Sequence, residues 1–272
     1  MNFWISLFAI LDMAFAGPLL AQPVTVAKLP STAPAQIVII GEIHDNPTHH
    51  LNQAALVARW KPAALVFEML TPAQIMAAEG TDRQDPQAME KTLGWEGTGW
   101  PNYSLYHPIF AASGGARLFG AALDRSTVRR AMAEGAASVF GQKAGEFGLE
   151  APLPQAEQSA READQMAAHC DALPLTMLAG MVEAQRLRDA SFAQTALTAL
   201  RETGGPVVVI TGSGHADVLR GIPAALALAA PQVSTFSIGQ IEGNPESTPP
   251  FDRWIVTDPI VREDPCAAFL KP

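Results

Sequence analysis

The chain has 272 residues, 48% of them hydrophobic, and a formal net charge of -9. That length and apolar content allow a sizeable core. The acidic balance, with no basic run anywhere, excludes nucleic-acid binding, which needs a clustered positive face.

Residues 1–22 differ from the rest. Met1 to Leu11 is nearly all apolar, and Ala14-Phe15-Ala16 and Leu19-Leu20-Ala21 offer small-residue cleavage sites, the pattern of a secretory signal peptide. The mature chain is expected to begin near Gly17 or Gln22, as a periplasmic or secreted soluble protein. The stretch is too short and interrupted for a spanning helix, and no lipobox cysteine lies near the cleavage sites. The only cysteines, Cys170 and Cys266, could pair in an oxidising compartment.

From residue 23 onward, strand-like and helix-like segments alternate. Ile37-Val38-Ile39-Ile40-Gly41 reads as a buried parallel strand followed by a sharp exit, and Glu42 and His44 alternate to one side if the chain stays extended. Asn46-Pro47-Thr48 can start a helix, with Asn46 or Thr48 as its cap, and His49 and His50 read as solvated. Gln53 to Trp60 is helical in pattern. Ala64 to Phe67 is a second strand and ends at Glu68; Arg117 to Leu123 is a third and ends at Asp124. Helices are expected from Thr71-Pro72 to near Gly80, from Asp85-Pro86, from Ala156 to His169 and from Pro174 to Leu200. Pro206 to Ile210 is a fourth strand, and Val233 to Ile238 and Trp254 to Val256 complete the sheet. The expectation is an α/β fold: a mostly parallel sheet flanked by helices, one domain over 23–272 with a helical insertion at about 71–200. Right-handed crossovers would bring Glu42, His44, Glu68, Asp124 and His215 to one edge.

The segment from Leu93 to Pro108 holds two of the five tryptophans and both tyrosines. Trp100, Tyr103, Tyr106 and His107 could plug the core, or form a platform for haem with a phenolate as axial ligand. Further along, Gln185 and Arg188 share a helical face with Asp189 beside them, either as a solvated set or as a holder of substrate acids. The Gly212-Ser213-Gly214-His215 turn lacks the third glycine of a dinucleotide loop, the Lys-Ser/Thr of a P-loop and the Gly-x-Ser-x-Gly of a nucleophile elbow. It reads as a histidine at a helix N-terminus, where the dipole keeps imidazole neutral. His44, His215 and Glu42 are then candidate ligands for a divalent ion, and with Glu68 a candidate hydrolytic site.

Gly41-Glu42-Ile43-His44-Asp45-Asn46, Phe67-Glu68-Met69, the Trp100 to Pro108 segment, Gln185 to Asp189 and Gly212 to His215 occur in an order that resembles the ChaN-like family. The resemblance spans about residues 35 to 240. That family is associated with iron regulation and haem uptake, within a wider group that includes Tiki and TraB proteins and erythromycin esterases. The resemblance implies an α/β core with a helical insertion, and a site where Glu42, His44, Glu68 and His215 gather. It also implies haem as ligand, which moves Trp100 to His107 toward a binding role. Two functions are carried forward. One is a haem-binding protein of iron acquisition, working with haem-uptake components or a second copy of itself; the other is a metal-dependent or metal-free hydrolase.

Overall fold

A computed structural model describes residues 22–268, so the expected leader lies outside the described residues except for Gln22. In chain order the strands are β1 (Gln22–Pro23), β2 (Ile37–Glu42), β3 (Ala64–Phe67), β4 (Arg117–Gly120), β5 (Val207–Gly212), β6 (Thr235–Glu242) and β7 (Arg253–Thr257). They form one sheet of order β1-β7-β6-β2-β5-β3-β4. Every pairing is parallel; helices make the crossovers among β2 to β6, whereas β6 and β7 are joined by the helix-free segment 243–252. The helices are α1 (Pro47–Trp60), α2 (Pro72–Ala77), α3 (Pro86–Leu93), α4 (Tyr103–Ala112), α5 (Arg125–Glu134), α6 (Ala136–Phe140), α7 (Gln155–Ala168), α8 (Leu175–Thr203) and α9 (Ile222–Ala229).

The strand side chains alternate between two cores, because successive residues point to opposite faces. Val38, Ile40, Leu65, Phe67, Val208 and Ile210 pack with α1, α3 and α4. Ile37, Ile39, Val66, Val207 and Val209 pack with α8 and α9 on the other side. Burial on both faces explains why β2, β3 and β5 read as unbroken apolar runs.

Several boundaries differ from the sequence expectation. The first helix begins at Pro47, and Asn46 is its cap, with its side chain accepting from the amides of Thr48 and His49. Strand β4 ends at Gly120 rather than Leu123, and the Thr71 backbone lies so close that a Cβ on this glycine would stand 2.4 Å from it. The expected insertion at about 71–200 therefore carries the edge strand in its middle. Among the described residues, no helix is long and apolar enough to cross a membrane.

Candidate functional site

Strands β2 and β5 lie side by side in register, Gly41 opposite Thr211 and Glu42 opposite Gly212. Parallel pairing thus delivers the ends of both motifs to the same edge, and β3, on the other side of β5, adds Glu68. Two imidazole–carboxylate couples result.

In the first, His44 donates from Nδ1 to Glu42 Oε1 at 2.8 Å, and Tyr106 donates its phenol hydrogen to the same oxygen at 3.0 Å. Glu42 is buried while the His44 side chain is 32% exposed. Holding Nδ1–H on a carboxylate fixes the ring orientation and leaves Nε2 on the Gly212 side. That Nε2 has no hydrogen-bond partner among the described residues and is not a buried atom. Burial alone lowers the His44 pKa, but the Glu42 hydrogen bond and the charges of Glu68 and Glu42 outweigh it and raise it. Trp100 meets the His44 ring edge-on, with centroids 4.8 Å apart.

The second couple is deeper. His215 donates from Nδ1 to Asp189 Oδ1 at 2.6 Å, while its Nε2 lies 3.5 Å from Glu68 Oε1. The other oxygen of Glu68 accepts from Thr211 Oγ1 and from the Gly212 amide, both at 2.7 Å. Burial opposes the His215 charge, yet Glu68 and Asp189 overcome it and push the pKa up to about 9. Glu68 is held below its ordinary range: burial raises it, but His215 and His44 win. Gly212 separates the couples, and a Cβ there would stand 2.8 Å from His44 Nε2.

This overturns one expectation. His215 is not a neutral imidazole at a helix N-terminus. Residues Ser213–Ala216 form a single short 3-10 turn, and two carboxylates keep the ring protonated at neutral pH. The candidate metal ligands His44, His215 and Glu42 are engaged mostly with partners inside the protein, while the buried Glu42 Oε2 has no hydrogen-bond partner among the described residues. Glu42 Oε1 is taken by His44 and Tyr106, and both His215 nitrogens face carboxylates. Among the described residues, no group of three or more His, Cys, Asp or Glu side chains is placed to hold a metal ion.

The remaining candidates divide. Asp189 belongs to the site through His215, whereas Arg188 donates to Gln185 Oε1 at 2.7 Å, forming a pair of its own on α8. A cavity of ≈ 160 Å³ touches Gln185, Asp189 and Gly214 behind the second couple. Tyr103 and Tyr106 are 1% and 0% exposed, so their hydroxyls face the interior rather than an open surface where an axial ligand would sit. Burial, and for Tyr106 also Glu42, pushes both phenols above the ordinary tyrosine range, disfavouring phenolate. Tyr106 acts as the anchor of Glu42. His107 is half-buried, with an enclosed Nε2 that has no partner among the described residues. Asp124 is exposed at the start of α5 and makes no capping bond.

His49 and His50 are the residues that the sequence reading missed. Both are fully buried. His49 Nδ1 accepts from the Ile43 amide at 2.8 Å and Nε2 donates to Thr257 Oγ1 at 2.9 Å, so the ring is neutral, and burial lowers its pKa to about 4. His50 donates from Nε2 to the His44 carbonyl at 2.9 Å and packs on the Tyr106 ring. Their spacing to Gln53, Val57 and Trp60 on one helix face was the available signal.

Could these residues hold haem? The unpartnered Nε2 of His44 would be an iron donor once it gives up its proton, with Nδ1–H held by a carboxylate. Trp100 is a half-buried aromatic wall beside it. The Arg125 guanidinium, exposed and 3.5 Å from where a Cβ on Gly99 would sit, is a cation for a propionate. Among the candidate donors, His44 is partly exposed, whereas Tyr103 and Tyr106 are buried.

Residues 29–226 match the family described as haem-binding uptake, Tiki superfamily, ChaN. The solved structure described as cofacial heme binding to ChaN of Campylobacter jejuni is similar, with a TM-score of 0.63 at 16% identity. The match covers 80% of this chain and 86% of that one. The type III effector HopBA1 gives a TM-score of 0.43 at 11% identity, over 82% of this chain and 88% of that one, too low a likeness to inform the site. No curated protein matches the chain.

Proposed function

Because the chain belongs to the ChaN family of haem-binding uptake proteins in the Tiki superfamily, we propose that it binds haem at His44 and Trp100, with Arg125, beside Gly99, as the cation. The observation that carries this reading is the His44 imidazole, oriented by Glu42, with Nε2 unpartnered among the described residues beside an aromatic wall. Glu42 orients the ring and Tyr106 fixes Glu42, so the Trp100 to His107 segment and the Gly-Glu-x-His motif serve one site. Haem would supply the iron chemistry; the chain supplies the donor, the wall and the cation. Haemin titration followed by absorption spectroscopy tests the proposal. His44→Ala should lose the histidine-type spectrum and weaken binding at least tenfold, and Trp100→Ala should weaken it less. An unchanged spectrum in His44→Ala overturns the assignment.

The role proposed is haem handling in the periplasm, alongside haem-uptake components or a second copy of the chain. The apolar stretch at 1–22 supports export, and so does the Cys170–Cys266 disulfide, since such bonds persist in oxidising compartments. Intact mass of protein from its native host should show a start near Gly17 or Gln22; a cytoplasmic species that keeps Met1 would contradict it.

A second reading, hydrolysis, is favoured by one observation: the His44–Glu42 couple has the form of a general base with its orienting carboxylate. His215, protonated at neutral pH, would stabilise negative charge rather than take a proton. Turnover of an ester, amide or peptide that disappears in His44→Ala, with no haemin binding by the unmodified chain, would select it.

A further inference from the structure

We infer that Arg262 and the Cys170–Cys266 disulfide make residues 258–268 a strap that positions the His44 loop from outside the sheet. Strand β7 ends at Thr257, and five residues later one guanidinium grips two carboxylates. Arg262 Nε and Nη2 donate to the two oxygens of Asp45 at 2.9 and 2.8 Å. Its Nη1 and Nη2 donate to Glu242 Oε2 and Oε1 at 2.6 and 2.8 Å. Asp45 is the residue after His44, and Glu242 ends β6. Glu242 Oε1 also accepts from Asn46 Nδ2 at 2.6 Å, and Asn46 caps α1. The strap therefore bears on both residues that follow His44.

An exposed ion pair by itself holds little, because two long side chains leave it freely. Here the chain is fastened covalently just beyond the arginine. Cys266, four residues on, is bonded to Cys170, so the guanidinium cannot move further from its partners than that short tether allows. The planar fork matters as well, since an ammonium is a point charge and cannot meet two carboxylates bidentately. Cys170 and Asp171 take left-handed conformations in the turn between α7 and α8. Helix α8 carries Asp189, the partner of His215. The strap thus ties the loop of the first imidazole couple to the helix hairpin of the second. Arg262 touches neither ring, which makes it a positioning residue.

Amide hydrogen exchange on the full chain tests the strap without any ligand. Arg262→Ala should raise exchange at Ile43 to Asn46 tenfold or more while Val38 to Ile40 in β2 stay protected, and Arg262→Lys should fall between. The Cys170→Ser/Cys266→Ser pair should raise exchange in the same segment. If that pair does not fold, folded protein reduced with a dithiol supplies the comparison. A haemin arm, which rests on the proposed role of His44, reads the axial-ligand spectrum. Arg262→Ala should give a mixed spectrum and about tenfold weaker binding, with partial rescue by Arg262→Lys. Wild-type exchange rates at 43–46 in Arg262→Ala would overturn the strap; wild-type rates in the serine pair would remove the disulfide from it. Failure of the unmodified chain to bind haemin would sink the haem reading alone, because the exchange result still decides the strap.

Discussion

His49 and His215 are both enclosed imidazoles, and their surroundings drive them in opposite directions. Burial lowers His49 to about 4, so below its ordinary value the unfolded chain takes up a proton that the folded chain refuses. Its contribution is complete above about pH 6.5 and is lost as pH falls toward 4. His215, raised to about 9 against burial by Glu68 and Asp189, behaves oppositely: its contribution is complete below about pH 6.5 and is lost as pH rises through 9. Each slope is bounded by ~1.4 kcal/mol per pH unit. Denaturant unfolding across this range should show greatest stability near neutral pH. His49→Asn should flatten the acid side and Asp189→Asn the alkaline side. NMR titration of Asp189→Asn should also show His215 losing its proton at lower pH; an unmoved titration would mean that Asp189 does not hold that charge.

At the scale of the element, α4 carries two buried phenols with different tasks. The Tyr106 hydroxyl donates to Glu42, whereas the Tyr103 hydroxyl has no partner among the described residues. Removing a donor from a buried acceptor costs about 1–3 kcal/mol, while removing an unpaired buried hydroxyl costs little or stabilises. Tyr106→Phe should therefore lower the unfolding free energy by about that amount and disturb His44 through Glu42. Tyr103→Phe should leave stability equal or higher. Parallel denaturation curves decide it, and equal losses in the two variants would contradict this division of roles. Pro108 lies inside this helix, and the ring of Phe110 just beyond it stacks on Phe67 of β3 at 4.6 Å, so the segment that carries Trp100 is also built into the core.

Across the whole molecule, the Cys170–Cys266 bond closes a loop of sequence separation 96. In the chain-entropy account, a cross-link of that span restricts the unfolded ensemble and stabilises by about 4.7 kcal/mol, against about 2–4 kcal/mol for disulfides in general. Replacing both cysteines by serine should lower the unfolding free energy by about this much, read as a shifted midpoint with a steeper denaturant slope, since the uncross-linked unfolded chain exposes more surface. An unshifted midpoint would mean that the bond adds only its local effect on the strap. A separate groove of ≈ 690 Å³ runs along the open edge of β4, lined in part by Leu118, Phe119 and Phe147, away from both imidazole couples.

The amino-acid sequence by itself determined the sheet and the place of the site. Runs such as Ile37–Ile40 and Val207–Ile210 are too apolar to be anything but strands buried on both faces, and long connections between them force parallel pairing. With parallel strands, Glu42, His44, Glu68 and His215 had to arrive at one edge. Their roles there were not legible, because a histidine's charge depends on what lies within a few ångströms of it. Tertiary structure placed Asp189, 26 residues away in sequence, against His215 and turned an expected neutral ligand into a cation. It likewise set Tyr106, 64 residues from Glu42, as an anchor rather than an open phenol, and brought Arg262 to Asp45 across 217 residues. Periodicity records which face a residue takes on its own element; which distant charge it meets there is settled only when the elements pack.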